Sequence, residues 1–284
     1  MKKCAQCGKR GFFIKLNHEG LCDNCQRMKC NEKQSGNPDL LLPTPQSIHA
    51  PKRHSFESAL SSIPLTEIQL CDEKAKKFSI NNMPDFSFTN ITSASNAEKT
   101  GTFIAIDVET TGLNAGTDRI IEVSALKIES WEIKEALSTL INPKKSIPAA
   151  ASRINHITDD MVEDAPEIYQ VLQALHDFTS GYNLIGHNLY FDLKFLYKSG
   201  FDAFSEKRRY YDTLELSKKI IDQDDVSGYS LEDLCDKYKI RNDNSSHRAL
   251  SDCLAVSVLF AHLFLERGNS IPSKNGKTII LIKE

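Results

Sequence analysis

Phe103-Ile104-Ala105-Ile106-Asp107-Val108-Glu109-Thr110-Thr111-Gly112-Leu113 is the stretch whose reading decides the fold. Residues 103–106 are apolar and read as a strand that ends in two acids. Side chains alternate along a strand, so Asp107 and Glu109 leave the sheet on one face, about 7 Å apart along the backbone. Two carboxylates brought to one spot are costly unless something positive lies between them. One or two divalent metal ions are the expected occupants. Asp-x-Glu alone also fits an acidic, solvated strand end, so the rest of the chain has to decide.

The 284 residues are 40% hydrophobic, enough for a substantial core and one or two domains. The net charge of −3 gives no global argument for nucleic-acid binding, although a local patch or bound metals can supply one. No stretch approaches 18 consecutive apolar residues, so no membrane span is expected. The Met1-Lys2-Lys3-Cys4 start lacks the apolar core of a signal peptide, which points to a cytoplasmic protein with reduced thiols. Its eight cysteines are therefore read as metal ligands before disulfides.

Residues 1–30 form the first expected unit. Cys4-x-x-Cys7 and Cys22-x-x-Cys25 are two knuckles at the spacing of a zinc site, and one structural Zn²⁺ is expected on these four thiolates. Residues 11–16 between them read as one or two short strands. So small a unit cannot bury a sufficient core unaided, and the metal would supply its folding energy. The stretch resembles treble-clef and zinc-ribbon modules. Eight Lys and Arg stand against three acids over residues 1–36, which suits a nucleic-acid grip, a protein dock or a solvated face. Residues 31–98 are interrupted by prolines and rich in Ser and Asn, and are expected to be a linker with one helix at 66–79.

The second domain is expected over residues 99–268, followed by a tail at 269–284. Strands are expected at 102–107, 119–128 and 131–141, joined closely enough for an antiparallel meander. Helices follow at 159–162, 166–178, 190–198, 213–221, 230–238 and 249–266, with short strands at 182–185 and 209–211. Pro166 is expected to open the second of these helices. Ser230 is read as an N-cap with Asp233 completing a capping box. Residues 278–282 have the composition of a further strand. Strands first, then helices alternating with strands, give an α/β mixed sheet flanked by helices.

Two further blocks complete a constellation. Gly186-His187-Asn188-Leu189-Tyr190-Phe191-Asp192 follows a buried strand and opens a helix, with Asp192 in its first turn. His247-Arg248-Ala249-Leu250-Ser251-Asp252 begins the last helix. Together with Asp107-Val108-Glu109-Thr110-Thr111-Gly112-Leu113, these blocks resemble the three motifs of the DEDDh 3′–5′ exonucleases, among them the epsilon proofreading subunit of bacterial DNA polymerase III. The likeness covers about residues 100–266, and the His-x-x-x-x-Asp spacing selects the histidine branch. It implies a ribonuclease H-like fold and an active site holding two Mg²⁺ or Mn²⁺ ions. By the resemblance, Asp107 bridges both ions, Glu109 and Asp252 hold the ion beside the attacking water, and Asp192 acts through water or the second ion. His247 would take the water's proton, since histidine titrates near neutral pH. Thr110 and Leu113 match positions that hold the terminal 3′-OH and its base, and Asn188 and Phe191 match positions lining the nucleotide pocket. One departure is Asn155-His156, where the family commonly has a glycine in a tight turn; histidine tolerates the left-handed conformation better than most residues.

Hard oxygen ligands on Mg²⁺ or Mn²⁺ suit phosphodiester hydrolysis without any family name. The expected activity is release of nucleoside 5′-monophosphates from a free 3′ end, DNA before RNA. Two alternatives stay open: an RNA or oligoribonucleotide exonuclease, and a non-catalytic adaptor in which the nuclease fold is a scaffold and the zinc module docks a protein partner.

Overall fold

The computed structural model describes residues 2–3, 10–11, 78–240 and 248–271. The chain divides into two units, Met1–Ile48 and His49–Glu284. In the first, β1 (Lys2–Lys3) pairs antiparallel with β2 (Arg10–Gly11), Lys2 opposite Gly11. Cys4, Cys7, Cys22 and Cys25 lie outside the described residues, as do the strand expected at 278–282 and residues 66–77 of the expected linker helix. The last two residues of that helix, Phe78 and Ser79, are turn and coil.

The second unit contains β3 (Phe103–Thr110), β4 (Ile120–Glu129), β5 (Glu132–Leu140), β6 (Asn183–Gly186) and β7 (Tyr210–Asp212). Its helices are α1 (Ala97–Thr100), α2 (Ala149–Asn155), α3 (Asp159–Val162), α4 (Ile168–Thr179), α5 (Leu189–Lys198), α6 (Thr213–Ile220), α7 (Leu231–Tyr238) and α8 (Ala249–Glu266). The five strands form one sheet in the order β5-β4-β3-β6-β7. β3, β4 and β5 are the expected antiparallel meander, and β6 and β7 run parallel to β3. This is the mixed, ribonuclease H-like sheet flanked by helices that the motifs imply.

The central strand is apolar at its start because both of its faces are covered. Phe103 and Ala105 pack with Leu126, Ile128, Val256, Phe260 and Phe264, which places α8 over that face. Ile104, Ile106 and Val108 pack on the opposite face with Val171 and Leu175 of α4 and Leu193 and Leu196 of α5. By the same alternation, Asp107 and Glu109 continue the Phe103–Ala105 row and project on the α8 side. α8 itself is long and apolar enough to cross a membrane by length and composition. It serves instead as the core helix of this unit, packed on β3 and β4, with Val256, Leu259 and Phe260 buried.

Several elements depart from the sequence reading. α4 begins at Ile168, not at Pro166, because Glu167 is extended (ψ 154°) and closes a capping box with Gln170; Pro166 lies ahead of the cap. α2 has no counterpart in the sequence reading. Its Ala149-Ala150-Ala151 start favours helix, but among its residues only Asn155 is buried, so no apolar stripe marks it. The Ser230–Asp233 capping box is present as expected. His156 ends α2 at φ 60°, the left-handed position that the Asn155-His156 pair had to fill.

Residues 78–98 fall in the span expected to be a linker, yet they pack on the domain. Phe78 and Ile91 are buried. The Tyr197 hydroxyl donates to the Asn82 carbonyl at 2.9 Å. The Thr89 N–H donates to the Tyr210 carbonyl at 2.7 Å, which covers the edge strand β7. The Phe86 ring lies 5.0 Å from those of both Phe204 and Tyr210. Proline and polar residues keep this segment free of long regular elements, while its spaced aromatics anchor it. The packed domain therefore begins by Phe78 rather than at residue 99. A chain trimmed to start at residue 99 is expected to melt well below one trimmed to start at 78. Burial of Phe78 and Ile91 contributes about 1.5–3 kcal/mol each, or roughly 6 °C or more together at about 2–4 °C per kcal/mol. Coincident melting curves for the two chains would contradict this docking.

Candidate active site

Three carboxylates from two elements converge at the C-terminal end of β3. Asp107 and Glu109 come from the strand and Asp252 from the first turn of α8. One carboxylate oxygen from each lies within 4.8 Å of the others, and all three residues are partly buried. The β3–β4 ladder is regular through Glu109, which faces Glu122, and then shifts register at Thr110. That irregularity ends the pairing where the chain leaves the sheet for the 111–119 loop.

Asp192 stands beside this trio. It is buried in the first turn of α5, and its Oδ1 accepts the Val108 N–H at 3.0 Å. That amide lies between the two acids of β3, so one hydrogen bond ties the fourth carboxylate to the strand carrying the first two. α5 itself starts from Asn188, held in the left-handed region at φ 61°. The Asn188 N–H donates to Asp212 Oδ1 at 3.0 Å, and the same oxygen caps α6 through Leu214 N–H at 2.9 Å. Asp212 lies in the Tyr211–Leu214 block that shares in the family likeness, but the sequence assigned it no role at the site. Its signal was its place between a strand and a helix, an N-cap position.

The remaining expected residues are placed as follows. Thr110 is buried, and its hydroxyl donates to the Gly112 carbonyl at 2.7 Å, which shapes the turn after β3. Leu113 at that turn is 85% exposed and free to meet a ligand. Phe191 is partly buried, its ring 4.9 Å from that of Phe195, and Asn188 is exposed. His247 lies outside the described residues, and its neighbour Arg248 is the first residue described after it. His187 is a structural histidine. One ring nitrogen meets Thr213 Oγ1 and the other the Tyr229 carbonyl, both at 3.0 Å. Burial lowers its pKa to about 4, so it is neutral at physiological pH.

Two further site residues were not anticipated. Asn155 is buried, with its amide donating to the Thr110 carbonyl at 3.4 Å and its Oδ1 accepting from Ile157 N–H at 3.1 Å. Its side chain also hydrogen-bonds the Glu109 carboxylate. Glu122 is buried in β4 and pairs with Arg248. The available signal for Glu122 was an acid inside the apolar run Ile120-Ile121-Glu122-Val123, which demands a partner. Ile154, next to Asn155, is an exposed apolar residue on the same helix.

The electrostatics follow from crowding. Burial pushes the Asp107 carboxyl well above the usual carboxylate range, and Asp192, Asp252 and Glu109 add to it. Burial, then Asp252 and Glu122, push Glu109 up to about 8, against the pull of the Asn155 hydrogen bond. Burial also raises Asp192, and the Val108 N–H offsets part of that. A donor set made only of carboxylate oxygens, held together against its own repulsion, fits a hard divalent cation.

A mixed five-stranded sheet, helices on both faces and a hard-oxygen donor set at the end of the central strand define the class of domain. The chain belongs to the exonuclease family, whose model, described as RNase T exonuclease, matches residues 104–260. A DNA polymerase III PolC-type protein of Caldanaerobacter subterraneus subsp. tengcongensis is 32% identical over 194 residues, 68% of this chain and 14% of that protein. The 3′-5′ exonuclease DinG of Bacillus subtilis is 35% identical over 175 residues, 60% of this chain and 18% of that protein. The chain thus spans less than a fifth of the length of these relatives. Among solved structures, Exonuclease X in complex with 5′ overhanging duplex DNA matches with a TM-score of 0.47 at 23% identity, over 60% of this chain and 95% of that one.

Glu109 carries a testable consequence. Its folded-state pKa, about 8, lies above the ordinary value of 4.5. The metal-free folded protein therefore holds this proton more tightly than the unfolded chain does. The associated stability is complete below about 4.5 and is lost as pH rises through about 8. In chelator at pH 8, Glu109→Gln is expected to melt roughly 5 °C above the parent protein, at about 2–4 °C per kcal/mol. Added Mn²⁺ should stabilise the parent and leave the variant nearly unmoved. A variant that melts below the parent in chelator would contradict this.

Proposed function

We propose that this chain is a divalent-metal-dependent 3′–5′ exonuclease that hydrolyses DNA from a free 3′ end and releases nucleoside 5′-monophosphates. The observation that carries this reading is the convergence of Asp107, Glu109 and Asp252 within 4.8 Å, with Asp192 hydrogen-bonded beside them. Membership of the exonuclease family supports it, as do relatives named a DNA polymerase III and a 3′-5′ exonuclease. The name of the first relative, a DNA polymerase III, favours DNA over RNA as substrate.

In this reading Asp107, Glu109 and Asp252 would hold one Mg²⁺ or Mn²⁺, and Asp107 with Asp192 would hold a second. Bound there, such ions would supply a nucleophile at neutral pH and neutralise charge on the phosphate and the leaving oxygen. His247 takes the proton of the attacking water. Thr110 and Leu113 receive the terminal nucleotide, Leu113 by offering an exposed apolar surface to its base. Asn188 and Phe191 line the other side of the pocket. Asn155 holds the 110–111 backbone and the Glu109 carboxylate in register with that pocket. Cys4, Cys7, Cys22 and Cys25 hold a structural Zn²⁺, in a module that provides a dock for a protein partner or a grip on nucleic acid.

The test is a paired assay with 5′-labelled single-stranded DNA and RNA of one sequence in Mn²⁺ or Mg²⁺. The expected result is a ladder shortening from the 3′ end on DNA. Asp107→Ala should abolish it, and His247→Ala should slow it by about 10²–10⁴-fold. A ladder confined to RNA would move the substrate class. No ladder on either strand, with Mn²⁺ demonstrably bound, would overturn the enzymatic reading in favour of an adaptor.

A further inference from the structure

Glu122 has no ligand role in the centre described above, yet it is 2% exposed at the edge of that centre. An unpaired carboxylate there would cost several kcal/mol. Its two oxygens are taken by one short piece of chain. Arg248 donates from Nη2 to Oε1 at 2.8 Å and from Nε to Oε2 at 3.0 Å, a side-on bidentate pair. The Ala249 N–H donates to Oε2 at 3.2 Å. Arg248 is the N-cap residue of α8 and makes no side-chain cap of its own, so a carboxylate from β4 caps the helix in its place.

The connections run both ways from this pair. On the sheet side, Glu122 is the cross-strand partner of Glu109. On the helix side, the Arg248 carbonyl accepts the Asp252 N–H at 3.1 Å. The residue before Arg248 in the chain is His247. One ion pair therefore joins the strand neighbour of Glu109 to the backbone of Asp252.

We infer that the Glu122–Arg248 pair is the positioning device of the nuclease centre, setting Asp252 against the two acids of β3. This rests on the exonuclease reading for its kinetic consequence, while its consequence for metal binding does not. Partners that orient metal ligands from outside typically change affinity or activity by about 10–100-fold. The proposed substrate contacts lie elsewhere, in the 110–113 loop and the start of α5, so the effect belongs in kcat and not in KM.

The experiment compares the full chain with Glu122→Gln and Arg248→Lys. Glu122→Gln places an amide N–H against the guanidinium and breaks the bidentate pair. Arg248→Lys keeps the charge but offers a single contact, and its side chain is a third exposed, so it is the variant that tolerates the change best. Calorimetric Mn²⁺ titration should show roughly tenfold weaker binding in Glu122→Gln and a smaller loss in Arg248→Lys. At saturating Mn²⁺, kcat on 5′-labelled DNA should fall by about 10–100-fold in Glu122→Gln, with KM within about threefold of the parent. Should Glu122→Gln fail to fold, the same two readings on Arg248→Lys decide. A folded variant with unchanged Mn²⁺ affinity and kcat overturns the inference, as does a rise in KM at constant kcat. If the parent binds Mn²⁺ but cleaves neither DNA nor RNA, the exonuclease reading fails, and the Mn²⁺ affinities alone decide the positioning role.

Discussion

Repulsion among carboxylates at the end of β3 is the constraint on which the rest of this domain depends. Asp107, Glu109 and Asp252 bring oxygens within 4.8 Å of one another, with Asp192 and Glu122 close enough to raise the pKa values of Asp107 and Glu109. Nothing in the hydrophobic core favours that arrangement. It persists because the sheet and two helix starts over-determine each side chain. β3 is buried on both faces, so its register cannot slip by one residue without turning its acids to the wrong side. The same burial raises the carboxyl pKa values, which stores in the metal-free protein a preference for cations.

Around the acids lies a layer of polar groups that make no claim on chemistry themselves. Val108 N–H holds Asp192, Asp212 holds the left-handed Asn188 that launches α5, and Asn155 holds Glu109 and the backbone after β3. Glu122 and Arg248 hold the start of α8. Buried polar groups of this kind are costly when unpaired. Here each is paired, and each pairing fixes the origin of one element that carries a site residue. The aromatic anchoring of residues 78–98 acts at a greater distance, covering the outer strand β7 whose Asp212 belongs to that layer.

The sequence was legible where function and periodicity coincide. Asp107 and Glu109 share a face by strand alternation, Asp192 and Asp252 sit in first turns of helices, and the Ser230–Asp233 capping box announced α7. Other features were hidden for physical reasons. α2 buries a single residue and shows no stripe. The Glu122–Arg248 pair spans 126 residues of sequence and has no local signature beyond an acid in an apolar strand. Asp212 and Asn155 act through main-chain partners, which composition does not reveal. The linker reading of residues 78–98 rested on Pro84 and on Ser and Asn content, and passed over the spacing of Phe78, Phe86 and Phe88 that docks the segment.

The acids at the end of β3 are proposed to form a divalent-metal centre. Anomalous diffraction from crystals grown with Mn²⁺ tests it most directly. The expected result is a peak in direct contact with oxygens of Asp107, Glu109 and Asp252, with a second about 4 Å away toward Asp192. Mn²⁺ peaks elsewhere on the protein, with none at these carboxylates under conditions that support cleavage, would contradict it.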